Sequence, residues 1–78
     1  MRIVSEYDEA YEIDLEAKTW KLVANPQKVG NMRTTEGKFF NCDPASPVVG
    51  EPFVIAGESL SFLGGVRLIV IPNLKEVA

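Results

Sequence analysis

The sequence predicts an all-β domain: a small barrel or sandwich of six to seven short antiparallel strands, SH3-like or OB-like in outline. Three observations carry this. Apolar and polar residues alternate with period two, most clearly where Tyr11, Ile13 and Leu15 interleave with Glu12, Asp14 and Glu16. Turn residues recur about every six to twelve positions. No stretch has a helical period of useful length; the nearest, Leu74 to Ala78, is too short.

Taken in order, Arg2 to Ser5 reads as a short strand with a turn at Asp8-Glu9. The Tyr11–Glu16 strand has one apolar and one acidic face, whereas a helix would scatter those charges around its circumference. Glu16-Ala17-Lys18 is short enough for a hairpin into the segment holding Trp20 and Leu22. Trp20 shares parity with Leu22 and is expected in the core. Asn25-Pro26 and Gly30-Asn31 signal loops. Met32 to Thr35 and Lys38 to Asn41 read as hairpin partners around a Glu36-Gly37 turn. Phe39 and Phe40 are adjacent, so in a strand one faces inward and the other is free. Two prolines make 43–47 a connection, since neither donates an N–H to a ladder. Val49-Gly50-Glu51-Pro52 turns into a strand over Phe53 to Ala56. Gly57-Glu58 leads to a segment with Leu60 and Phe62, and Gly64-Gly65 is the clearest late turn. Val66 to Ile71 is nearly all β-branched or apolar, which predicts a central strand buried on both sides, ended by Pro72.

At 78 residues the chain is expected to be one domain (1–78) with a thin stability margin. Cys42 is the single cysteine and histidine is absent, so an intrachain disulfide is excluded and a structural zinc site has no ligand set. The missing histidine also removes the commonest general base and the triads built on it. No catalytic residue, metal or cofactor is therefore expected. Cys42 lies beside Asp43, whose charge raises a thiol pKa, and reads as a small hydrophobe at a strand end. Ser59 and Ser61 lack a nucleophile elbow, and Gly57, Gly64 and Gly65 make no phosphate loop. Glu12, Asp14 and Glu16 read as a solvated acidic face, because paired catalytic carboxyls flank a cleft from different elements. No apolar run approaches the roughly 20 residues of a membrane span, and the N-terminus has no basic-then-apolar pattern. With a free thiol, this points to the cytoplasm and away from membranes.

The net charge of −3 conceals an asymmetry: residues 1–17 sum to −5, residues 18–38 to +4 and residues 39–78 to −2. If the first two segments form neighbouring strands, they pair across the ladder. Otherwise the charges are left for a partner. A protein partner fits best, because exposed aromatics beside basic residues resemble interface anchors. The binding residues expected on this basis are Lys18, Lys21, Arg33, Lys38 and Phe40. The same five residues support a second reading, a small β-barrel binding single-stranded nucleic acid, against which stand the adjoining acidic segment and a pI near 4.8. A third is a self-assembling subunit whose acidic and basic segments meet between copies.

The stretch Tyr11-Glu12-Ile13-Asp14-Leu15-Glu16-Ala17-Lys18-Thr19-Trp20, followed by Arg33-Thr34, Gly37-Lys38 and Val49-Gly50-Glu51-Pro52-Phe53, resembles small accessory proteins encoded by tailed phages of actinobacteria. The resemblance implies a viral product made in a bacterial cytoplasm, acting on host factors or serving as an accessory part of the virion. It brings no catalytic residue with it.

Overall fold

The computed structural model describes residues 1–24, 36–58 and 65–78. It is all-β: seven antiparallel strands in one strongly curled, half-barrel sheet, with no helix among the described residues. The strands are β1 (Arg2–Ser5), β2 (Ala10–Asp14), β3 (Thr19–Ala24), β4 (Glu36–Asp43), β5 (Phe53–Glu58), β6 (Val66–Ile71) and β7 (Leu74–Val77). Their order across the sheet is β6-β5-β4-β3-β2-β1-β7.

That order itself requires the curl. β6 and β7 lie at opposite ends of the sheet, yet only Pro72 and Asn73 separate them in the chain. Consecutive Cα atoms are 3.8 Å apart, so the two ends of the sheet must meet at this corner. Backbone hydrogen bonds hold the corner: the Glu6 N–H donates to Asn73 (2.8 Å), the Leu74 N–H to Glu51 (3.0 Å) and the Gly50 N–H to Leu74 (2.7 Å). Away from the corner β6 and β7 are not packed as neighbours.

The concave face holds the core: Ile3, Tyr11, Ile13, Trp20, Phe39, Phe53, Ile55, Ile71 and Leu74, with Leu22, Cys42 and Ile69 partly buried against them. The period-two pattern places these residues, since Ile13, Trp20 and Gly37 stand opposite one another across β2, β3 and β4. Gly37 leaves the space that the Trp20 indole occupies: a Cβ there would lie 3.0 Å from the indole nitrogen. The Tyr11 and Trp20 rings pack at a tilt, their centroids 6.5 Å apart. Gly57 answers a different need. At the bulge between Phe39 and Asn41 the backbones of β4 and β5 come so close that a Cβ on Gly57 would sit 2.6 Å from the Lys38 carbonyl oxygen.

Among the described residues, one polar side chain lies within the core. Ser5, fully buried, accepts hydrogen bonds from the N–H groups of Tyr7 (3.2 Å) and Glu9 (3.3 Å), so its hydroxyl shapes the β1–β2 turn from inside. The β2–β3 turn is built from outside: an Asp14 carboxylate oxygen accepts from the N–H groups of Glu16 (3.0 Å) and Ala17 (2.9 Å).

Three expectations need correction, and one strand is added to those expected. Leu15 and Glu16 belong to the turn rather than to the strand, because the Asp14 cap starts the turn at that point. Glu36-Gly37 is not a turn: both residues lie in β4, with Glu36 opposite Lys21 and Gly37 opposite Trp20, because the ladder with β3 begins there. Leu74–Val77 is a strand, drawn into the sheet by pairing with β1. Val66–Ile71 is a strand but not a central one. It is the edge of the sheet, buried on its inner face only. The Met32–Thr35 strand and the Leu60–Phe62 segment fall outside the described residues.

Candidate interaction surface

The convex face of the sheet divides into two halves. On β2, β3 and the start of β4 it carries Glu12, Asp14, Thr19, Lys21, Glu36 and Lys38. Lys21 stands directly opposite Glu12 on one side and Glu36 on the other, so the acidic and basic segments are indeed neighbours. Among the described residues, none of these charges forms a close ion pair. Lys75–Asp8, which ties β7 to the β1–β2 turn, is the one ion pair among the described residues. Glu12, Asp14, Glu16, Lys21 and Glu36 also line one open groove of about 780 Å³.

Among the expected binding residues that are described, Lys18, Lys21 and Lys38 lie near one another: Lys21 and Lys38 both neighbour Thr19 on the convex face, and the Lys18 carbonyl accepts from the Phe39 N–H (2.8 Å). Lys21 sits between carboxylates. Lys18 is exposed in the β2–β3 turn in a left-handed conformation (φ 55°). Lys38 is exposed on β4 opposite Thr19. Arg33 lies outside the described residues. The two phenylalanines split as their adjacency requires: Phe39 is 6% exposed in the core, whereas Phe40, at the bulge, is 51% exposed.

The second half of the convex face was not anticipated. Leu68 stands opposite Ala56, which stands opposite Asn41; Val70 stands opposite Val54, which stands opposite Asp43. β6 thus turns Val66, Leu68 and Val70 outward, 61%, 63% and 61% exposed, beside the half-buried Val54 and Ala56 of β5. Asn41 and Asp43 give this apolar strip a polar border, and Phe40 lies next to Asn41. A run apolar on both faces reads, from sequence alone, as a buried central strand. The counter-signal was present in the sequence: such strands need helices to cover their second face, and no helical segment was found.

The titrating groups are unremarkable as chemistry. Burial pushes the Tyr11 hydroxyl up to about 12, with Glu9 adding to the effect. Burial also pushes the Cys42 thiol up; nearby Lys18 opposes this and Asp43 adds to it. Cys42 thus holds its proton more tightly than a free thiol, the reverse of an activated nucleophile. Among the described residues no three His, Cys, Asp or Glu side chains group in a way that holds a metal ion. No helix among them is long and apolar enough to cross a membrane. No family model, curated protein or solved structure matches this chain.

Proposed function

We propose that this protein is a non-enzymatic interaction module that binds a protein partner through the apolar convex face of β5 and β6, with Phe40 at its margin. The observation that carries this reading is the outward row of Val66, Leu68 and Val70, three large apolar side chains more than half exposed on one strand. Contiguous exposed apolar surface with a polar border is the composition of a protein contact, since water alone gives it no reason to persist. The phage-like segments quoted above support a small accessory protein of a tailed phage, working in the cytoplasm of its bacterial host on a host or phage protein. Protein is favoured over single-stranded nucleic acid because Lys21 is flanked by Glu12 and Glu36, whose charges oppose a phosphate backbone at the centre of the expected basic strip.

The test is affinity capture from actinobacterial lysate with the wild-type chain and with a Phe40→Ser/Leu68→Ser double variant. The proposal expects a stoichiometric partner held by the wild type and lost by the variant. Equal capture by both, or by neither, sinks it. Binding of single-stranded oligonucleotides that weakens steeply with added salt would point instead to nucleic acid.

A further inference from the structure

The two edges of the sheet are built differently. β7 is four residues long, carries Lys75 and Glu76, and is tied to the neighbouring turn by the Lys75–Asp8 ion pair. Its partner β1 is bulged between Val4 and Ser5. Short length, charge and a bulge are the features by which sheets protect an edge from unwanted pairing. β6 is neither short nor bulged. It is six residues long and regular in register from Phe53↔Ile71 to Glu58↔Val66, and Arg67 is its single charge. No described strand occupies its outer edge.

We infer that this edge pairs antiparallel with the β6 of a second copy, about a two-fold axis at Leu68. The occupant follows from what the edge will accept. An added strand must be extended and β-prone, and it must set apolar residues against the outward row without opposing Arg67 with another cation. β6 itself meets these conditions. Paired residues share a face, so the two-fold must pass through a residue rather than between two. An axis at Arg67 opposes two guanidinium groups. An axis at Ile69 runs Val66 against Pro72, which has no N–H to give. An axis at Leu68 sets Leu68 against Leu68, Val66 against Val70, and Arg67 against Ile69. It avoids both faults.

The alternative of β6 against a second copy's β7 meets the protected edge, and repeats head-to-tail without closing. Pairing β6 with β6 closes at two copies. It also places two convex apolar strips side by side in one continuous sheet, β5-β6-β6-β5. The inference concerns the strand's edge. The partner proposed above uses the strand's face; Leu68 belongs to both, so the mass of the wild-type chain tests the edge and capture of a partner tests the face.

Light scattering on the full chain measures the first consequence: a mass about twice the 8.6 kDa of one chain. Leu68→Lys, at a side chain 63% exposed, is expected to give the single-chain mass with an unchanged β-sheet circular dichroism spectrum. Glu76→Lys on the other edge is expected to keep the double mass. A cross-linking arm covers the case in which Leu68→Lys disturbs folding. In a Cys42→Ser background, Leu68→Cys places two thiols directly opposite each other, with Cα atoms about 4.5–5.5 Å apart, within disulfide reach. It should form an interchain disulfide under a mild oxidant at least tenfold faster than Val23→Cys, which is exposed on β3. A single-chain mass for the wild type at high concentration overturns the inference, even if a partner is captured. So does a double mass that survives Leu68→Lys, or equal cross-linking of the two cysteine variants. A confirmed double mass with no captured partner would leave the inference standing and remove the proposed function.

Discussion

The convex faces of β2–β3 and of β5–β6 belong to the same sheet and cover the same core, yet one is charged and the other apolar. On β2 and β3 the outward residues Glu12, Asp14, Thr19 and Lys21 are polar, with Val23 the apolar exception, and the strands are paired on both sides. On β6, the outward residues are Val66, Leu68 and Val70, and among the described residues the strand is paired on one side. The difference lies in the outer face alone, because both halves bury the same kind of apolar row on the inner face. The outer face differs between the halves, largely polar in one and apolar in the other.

The comparison is most directly broken by removing matched apolar side chains from the two faces. Phe53, fully buried on the inner face of β5, should cost about 3–5 kcal/mol on Phe53→Ala. Leu68→Ala on the outer face of the neighbouring strand should change stability by no more than about 0.5 kcal/mol at concentrations too low for association. Urea melts of the two variants read the contrast. A Leu68→Ala cost near that of Phe53→Ala would show that the outer row is packed within the chain.

Gly57 sharpens the same point from the backbone. Ala at this position must displace the β4 carbonyl 2.6 Å away, so Gly57→Ala is expected to cost about 1–3 kcal/mol. Thermal melts read it directly. Proton linkage then tests the burial of the inner face. Tyr11 is neutral in the fold and its hydroxyl is raised to about 12, above the ordinary value of 10.0. Below pH 10 both folded and unfolded chains keep the proton, and the stabilisation is fully present. Between pH 10 and 12 the unfolded chain loses the proton first, so stability falls as pH rises, by on the order of 2 kcal/mol. Tyr11→Phe should flatten that part of the pH–stability profile; an unchanged slope would place the decline in other groups.

The smallest effect belongs to the charged half. Lys21→Gln removes the cation between Glu12 and Glu36 but breaks no close ion pair among the described residues, so the expected loss is a few tenths of a kcal/mol in low salt. It should vanish in high salt. A loss above about 1 kcal/mol would show that the charges of this face hold the sheet together.

Much of this was legible in the residues. The Tyr11–Asp14 alternation, the hairpin into Trp20, the split between Phe39 and Phe40 and the strand ends at proline all follow from local geometry: a period of two, a short link, a missing N–H. The Glu36-Gly37 turn was misread because a glycine beside a charged residue looks the same in a turn as in a strand; only the indole of Trp20 across the ladder shows what the missing side chain is for. For the candidate surface, Phe40 was legible from its neighbour's burial, while Lys21 was read without the two glutamates that register sets beside it.

The sequence by itself determined the all-β class, the inward row and the absence of histidine-based chemistry, because these depend on residue type and on neighbours along the chain. Only the tertiary structure decided which strands are edges, since strand order is a matter of non-local pairing. β7 returns to β1, which leaves β6 outermost, and the same six residues that read as a buried centre become an exposed border. The apolar row on β6 owes its existence to composition and its availability to topology.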